Sequence, residues 1–225
     1  TLILKVILQM KTIAATTCTL LCLVSLQAGD YGTLIFEDKF ERNESQELKD
    51  EPGNNWTTSS DKTAAGQKQV DLRDGAMYMH TAKDANHAVS VRQAFAFRDG
   101  TIGMRFRLDH DQDALQLNFA DMKLKSVHAG HLFDAKVSLT QFTFEDKKTG
   151  FMDLKIRAAN KAGKLSKAEK SKLWKTKKKS IAHPLTKGRW HDLFVHVQGD
   201  RITAVVDGKE VGRFQSEGFA HPTKG

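Results

Sequence analysis

Three Asp-Gly steps set between alternating apolar runs constrain this chain more than anything else in it. Arg73-Asp74-Gly75 separates Gln69–Leu72 from Ala76–His80, and Arg98-Asp99-Gly100 separates Val89–Phe97 from Thr101–Leu108. Val206-Asp207-Gly208-Lys209 repeats the step near the end. Tight hairpin turns need positive φ, which Asp and Gly tolerate, so each step predicts two antiparallel strands. Further strands are predicted at Thr33–Phe36, Ala114–Phe119, Lys136–Phe144, Phe151–Arg157, His191–Val197, Ile202–Val206 and Glu210–Phe214. The period of two is plain where Leu193, Val195 and Val197 share one face and Phe194 and His196 the other. About ten strands with short turns and almost no helix make an all-β, antiparallel β-sandwich or barrel. Hydrophobic residues are 40% of the 225, enough for a core, and the length suits one large domain. No Walker or G-x-G-x-x-G loop is present, so nucleotide binding of those types has no support.

The start of the chain reads differently. Its first 28 residues contain no acid. Met10-Lys11, the apolar run Ile13–Leu26 and then Gln27-Ala28 have the layout of a secretory signal peptide. The run is 14 residues long, short of the roughly 20 that cross a bilayer; an uncleaved anchor is the alternative. Thr1–Gln9 reads as upstream sequence. Residues 1–28 are thus expected to precede a single domain over 29–225, with no transmembrane segment after cleavage and a secreted or periplasmic location. Cleavage would remove both cysteines, Cys18 and Cys22, neither of which lies in a lipobox, and with them any disulfide or thiolate chemistry. Asn43-Glu44-Ser45 and Asn55-Trp56-Thr57 match glycosylation sequons, which matter only in a eukaryote.

One stretch breaks the strand pattern. Asn160–Ser180 carries nine lysines and one acid, Glu169. Ser166-Lys167-Ala168-Glu169 fits a capping box, so a short helix is predicted over Lys167–Lys175. The whole chain has a formal charge of +8. Loss of Lys5 and Lys11 leaves +6, and the insert alone accounts for +8, so the rest of the domain stands at −2. A solvated lysine-rich loop is one reading of this insert. A polyanion site over Lys170, Lys172, Lys175, Lys177, Lys178 and Lys179 is the other. The fold outside it gives no charge argument for specific nucleic-acid binding.

The segment Gly188-Arg189-Trp190-His191-Asp192, then Gly199-Asp200-Arg201-Ile202, then Val206-Asp207-Gly208-Lys209-Glu210-Val211 resembles a block found in concanavalin A-like jelly-roll domains. Leu34-Ile35-Phe36-Glu37-Asp38-Lys39-Phe40, Asn55-Trp56, Val70–Thr81 and Phe95-Ala96-Phe97 with Met104-Arg105-Phe106 extend the likeness over roughly 33–224. The chain resembles most the 3-keto-disaccharide hydrolase domain family of secreted planctomycete-type bacterial proteins. The resemblance implies a jelly roll that handles carbohydrate and hydrolyses 3-keto-glycosides. Such domains usually add a last strand that pairs near the first; here the chain ends at His221–Gly225, so an open sheet edge is expected. Family 16 glucanases of this fold carry E-x-D-x-x-E on one strand. Glu37, Asp38 and Glu41 fall at one, two and five, and Glu145-Asp146 are neighbours that point to opposite faces of a strand.

The candidate sites follow from residue type and spacing. His128-Ala129-Gly130-His131 with Asp134 is the candidate acid/base group, if the Ala129-Gly130 turn brings the imidazoles together. Asp109, Asp111 and Asp113 are spaced as oxygen ligands of a structural calcium, though the full EF-hand pattern is missing and an acidic turn is the alternative. Tyr78, His80 and Arg92, alternating on two strands taken as adjacent, together with the indole of Trp174, are the candidate carbohydrate contacts. No cofactor is required. The expected function is carbohydrate interaction, catalytic or not, with a lectin-like or adhesion module and polyanion binding (an anionic glycan) through the insert as alternatives.

Overall fold

The computed structural model describes residues 2–6, 32–42 and 47–225. The segment Met10–Ala28 and the sequon at Asn43 lie outside these residues. The strands are β1 (Leu2–Val6), β2 (Thr57–Thr58), β3 (Val70–Arg73), β4 (Ala76–Met79), β5 (Val91–Arg92), β6 (Gly100–Leu108), β7 (Ala114–Ala120), β8 (His131–Ser138), β9 (Gln141–Asp146), β10 (Lys178–Ala182), β11 (Trp190–Gln198), β12 (Arg201–Val206) and β13 (Lys209–Gln215). The helices are α1 (Ser60–Thr63), α2 (Leu154–Lys161) and α3 (Lys167–Lys177). A seven-stranded sheet runs β13-β12-β11-β6-β1-β4-β3 and a four-stranded sheet runs β10-β9-β8-β7; β2 and β5 pair alone. Every pairing is antiparallel. The all-β antiparallel sandwich is therefore the architecture, with the lysine-rich helix set between β9 and β10.

Strand parity builds the core. Met104, Phe106, Leu193, Val195, Ile202 and Ala204 are buried from the larger sheet, and Leu115, Phe119, Phe133, Val137, Phe142 and Phe144 from the smaller. Each of these side chains larger than alanine contributes about 1.5–3 kcal/mol when withdrawn from water. Two of the Asp-Gly turns form as expected, with positive φ at Asp74, Gly75, Asp207 and Gly208. The third does not. Val91-Arg92 pairs with β2, and Phe97 bridges to Lys224 rather than folding back on β6.

Three more expectations change. Lys136–Phe144 is two strands, because Ser138 Oγ accepts the N–H groups of Thr140 and Gln141 and turns the chain where no Gly or Pro signals it. Phe151–Arg157 is not a strand. Asp153 caps α2 by accepting from the Lys155 and Ile156 N–H groups, and the helix runs on through Ala158 and Ala159. Thr33–Phe36 holds no strand. The capping box of α3 forms as read, with Ser166 and Glu169 bonding each other's backbone N–H. Leu2–Val6, placed ahead of the domain by sequence, is a strand of the larger sheet, paired with both β4 and β6. At the other end, where an open edge was expected, Lys224 exchanges backbone hydrogen bonds with Phe97 and Gly225 with Ala120. No helix of the described residues is long and apolar enough to cross a membrane.

Candidate functional site

Polar side chains converge on the open face of the four-stranded sheet. Register sets them in rows. Asn118 pairs with Asp134, Asp134 with Glu145 and Glu145 with Lys178, giving one row across four strands. Gln116, Lys136, Thr143 and Ser180 make the next. The opposite parity (Phe133, Ala135, Val137, Phe142, Phe144) is in the core, so these rows face away from it. A groove of about 280 Å³ lies here, lined by Gln116, Asp134, Lys136, Thr143, Glu145 and Lys178, with Asp111–Asp113 at one end.

Asp134 is the least ordinary group in it. The residue is only 5% exposed. Its Oδ2 accepts from Gln116 Nε2 at 2.6 Å and pairs with the Lys147 ammonium. Its Oδ1 is buried and without a hydrogen-bond partner. Buried polar atoms are nearly always satisfied, so an orphaned carboxylate oxygen beside a groove points to a donor that arrives with a ligand. Burial pushes this carboxyl up to about 6; Lys147 and Lys136 oppose the shift, and Glu145 adds to it.

His131 opens β8, three residues before Asp134. The tight turn before it depends on Gly130, at φ +70°, where a Cβ would sit 2.4 Å from the Asp121 carbonyl oxygen. Ala129 also has positive φ. This turn sets the His128 and His131 rings 6.3 Å apart, centroid to centroid. The Asn118 amide lies 3.0 Å from His131 Nδ1. Burial first, then the charges of Lys147, His128, Arg92 and Arg157, hold the imidazole down at about 4, so it is neutral at pH 7. Of these three candidates Asp134 lines the groove, while His131 stands beside Asn118 and His128 is exposed.

The other candidates are more scattered. Tyr78 belongs to β4 in the larger sheet and His80 follows that strand; Arg73 stacks 4.0 Å above the Tyr78 ring, and with Lys68 and Asp71 they line a separate hollow. They are not neighbours of Arg92, because β4 pairs with β3 and β1 rather than β5. Arg92 instead pairs with Thr57 of β2. Trp174 packs on Phe151 at 4.8 Å, and the Lys178 ammonium, itself a groove residue, lies 4.8 Å from its ring centroid. Trp174 is 47% exposed, at the groove rim.

Asp109 pairs with Arg107 at 2.8 Å and Asp111 with Lys187 at 2.7 Å, while Asp113 accepts the backbone N–H groups of Asp109 and His110. The three carboxylates are thus turned to separate partners, and no group of three or more metal-ligating side chains occurs among the described residues. In the insert, Lys177 pairs with Glu217 at 3.0 Å and lies 3.8 Å from Asp146, and Lys179 donates to the Arg213 carbonyl. Lys170, Lys172 and Lys175 stand along α3, the last two exposed. Asp38, part of the opening acidic run, is buried. It accepts from Arg42, Asn54, the Phe40 N–H and Trp56 Nε1, which holds that indole in the wall of the fold.

Sequence reasoning missed Gln116, Asn118, Lys147 and Arg157 as site residues. Strand parity could have found Gln116 and Asn118. It did assign Glu145 and Asp146 to opposite faces: Glu145 is on the open face and Asp146 is fully buried.

No family model and no curated protein matches the chain. Solved structures similar to it include SCLam, a non-specific endo-β-1,3(4)-glucanase from family GH16, at 12% identity and TM-score 0.48, covering 85% of this chain and 78% of that one. LamAcat from Zobellia galactanivorans matches at 12% identity and TM-score 0.47, covering 86% and 85%. The laminarinase catalytic domain from Thermotoga maritima MSB8 matches at 10% and 0.46, covering 85% and 84%. At these values the likenesses lend this chain no activity or substrate.

Proposed function

We propose that this protein is a glycan-binding β-sandwich whose ligand lies along the open face of the four-stranded sheet. The observation that carries the reading is the orphaned Oδ1 of buried Asp134 on a groove floor of alternating amide, carboxylate, hydroxyl and ammonium groups. Sugar hydroxyls both donate and accept, and such a floor offers both. Trp174 at the rim supplies an apolar face for a ring. Titration of oligosaccharides into the protein should give binding that falls at least tenfold in Asp134→Ala and in Glu145→Gln. Unchanged affinity in both variants would sink the reading.

Cleavage of a 3-keto-glycoside is a second reading, favoured by the two perturbed groups, Asp134 and His131, that β8 carries three residues apart. Scission at neutral pH needs a proton acceptor and a proton donor within reach of one bond. Neutral His131 can take a proton, and Asp134 lies closer to neutrality than an ordinary aspartate. Turnover of 3-keto-glucosides that disappears in His131→Ala would support it; binding without turnover leaves the lectin-like function. Export with cleavage rests on the Met10–Ala28 layout and would take β1 out of the larger sheet, and N-terminal sequencing of the processed protein tests it.

A further inference from the structure

One strand reaches the larger sheet from outside the run of hairpins. β1 lies between β4 and β6 and is antiparallel to both. It is joined to the rest of the chain only through residues 7–31, and cleavage after Ala28 would remove it. Its loss would open the sheet from within. Residues 77–79 of β4 would form one wall and residues 104–108 of β6 the other, each with backbone N–H and C=O groups left to pair. Both walls bury apolar side chains in the core: Met77 and Met79 from β4, and Met104, Phe106 and Leu108 from β6. A gap with two hydrogen-bonding walls and an apolar side accepts an extended strand.

Register states which strand fits. Leu2 stands across from Met79 and Leu108, Leu4 from Met77 and Phe106, and Val6 from Met104. These three alternate positions share the parity of buried residues and call for apolar side chains. The positions between them belong to the other face, where Ile3 stands across from Tyr78 and Arg107, and Lys5 from Arg105. Arg105 has Asp192 on its β11 side at 3.1 Å. On its β1 side it meets a lysine position, and like charges directly opposed weaken a strand pair. β1 also pairs with β4 through three residues, against five with β6. The occupant therefore suits the apolar side of the slot and not the charged one, and an acid at the fifth position would set a carboxylate on each side of Arg105.

We infer that the slot between β4 and β6 is a strand-accepting site for a partner protein, and that Leu2–Val6 is the plug that fills it in the unprocessed chain. The partner segment is extended, apolar at three alternate positions and acidic at the position across from Arg105. The slot is in the larger sheet and the glycan groove on the smaller, so neither reading rests on the other.

Hydrogen exchange of the full chain tests this with a peptide that copies residues 1–6 and carries Lys5→Glu. A tethered plug has an effective concentration of order millimolar, so the peptide is used at about 2 mM. Exchange at residues 2–6 should rise at least tenfold, while the β4 and β6 amides stay protected because the peptide takes the place of the plug. The unaltered peptide should act about threefold less. A peptide carrying Ile3→Pro, which lacks an N–H and cannot continue the ladder, should not act at all. In the chain itself Ile3→Pro should expel the plug, so that the Lys5→Glu peptide binds at least tenfold more tightly than to the unaltered chain, with oligosaccharide affinity within twofold. If that variant unfolds, the exchange experiment on the unaltered chain still decides. Residues 2–6 as protected with peptide as without it overturn the inference. A folded Ile3→Pro chain that takes up no peptide, its β3–β4 hairpin closed directly on β6, overturns it too. Equal action of the Lys5→Glu and unaltered peptides overturns the acidic position. A dimer of the Ile3→Pro chain in light scattering, without peptide uptake, gives the slot to a second copy and overturns the partner.

Discussion

The lysine-rich insert and the open face of the smaller sheet both carry lysines, and they differ in where the charge stands. The insert packs nine lysines into 21 consecutive residues. Lys172 and Lys175 project from exposed positions on α3, while Lys177 and Lys179 are already bonded to Glu217 and the Arg213 carbonyl. On the smaller sheet Lys147 is buried against the Asp134 carboxyl, and Lys136 stands in the next row. Exposed charges are screened within about 8–10 Å at physiological salt, whereas charges at a partly buried site are screened much less. Convergence and burial, more than number, make a charged region selective.

That contrast can be broken in three ways. The largest effect should come from the carboxylate beneath the insert's stem. Asp146 accepts from Thr149, Ser216 and the Gly218 N–H, and Lys177 lies 3.8 Å away. Asp146→Ala strands Thr149, Ser216 and the Gly218 N–H, while Lys177 keeps Glu217, and should cost about 3–5 kcal/mol in urea unfolding. A loss below about 1 kcal/mol would mean the stem is held elsewhere.

A smaller effect lies in the pH dependence of stability. Asp134 has its folded pKa raised to about 6, so the folded chain takes up this proton first and acidification from pH 6 toward 4 stabilises it. His131 is lowered to about 4, so the unfolded chain takes up that proton first and acidification from 6.5 toward 4 destabilises the fold. The two slopes oppose each other, and the intact protein should show a nearly flat contribution from them. Asp134→Asn should expose the loss on acidification and His131→Gln the gain. Each limb is worth at most about 3 kcal/mol, and less for half-exposed His131. Parallel pH–stability curves for the two variants would refute the opposition.

The smallest effect belongs to the insert. Replacing Lys170, Lys172 and Lys175 together by Gln should change stability by under about 0.5 kcal/mol and oligosaccharide affinity by less than twofold. A tenfold loss of affinity would move the binding site onto α3.

The strands were legible wherever side-chain alternation and turn chemistry agreed. Asp74-Gly75 and Asp207-Gly208 are such places, because both central residues must take positive φ and few other pairs do so cheaply. Asp99-Gly100 carries the same letters but makes no hairpin, since Phe97 finds Lys224 and Val91-Arg92 finds β2. Pairing partners are chosen across the chain, and a local signal cannot name them. The same limit separated Tyr78 from Arg92 and hid Arg157, which alternation had put on a strand and which Asp153 instead starts on a helix.

By itself the sequence determined an antiparallel all-β sandwich, a capped basic helix inserted in it, and opposite faces for Glu145 and Asp146. These depend on periods of two and on caps within a few residues, which the chain carries locally. Only the tertiary structure decided that Asp134 stands opposite Glu145, that Lys147 reaches it, and that Asn118 meets His131. Those relations are set by strand order, register and burial, and burial is also what drives the Asp134 and His131 ionisations toward each other.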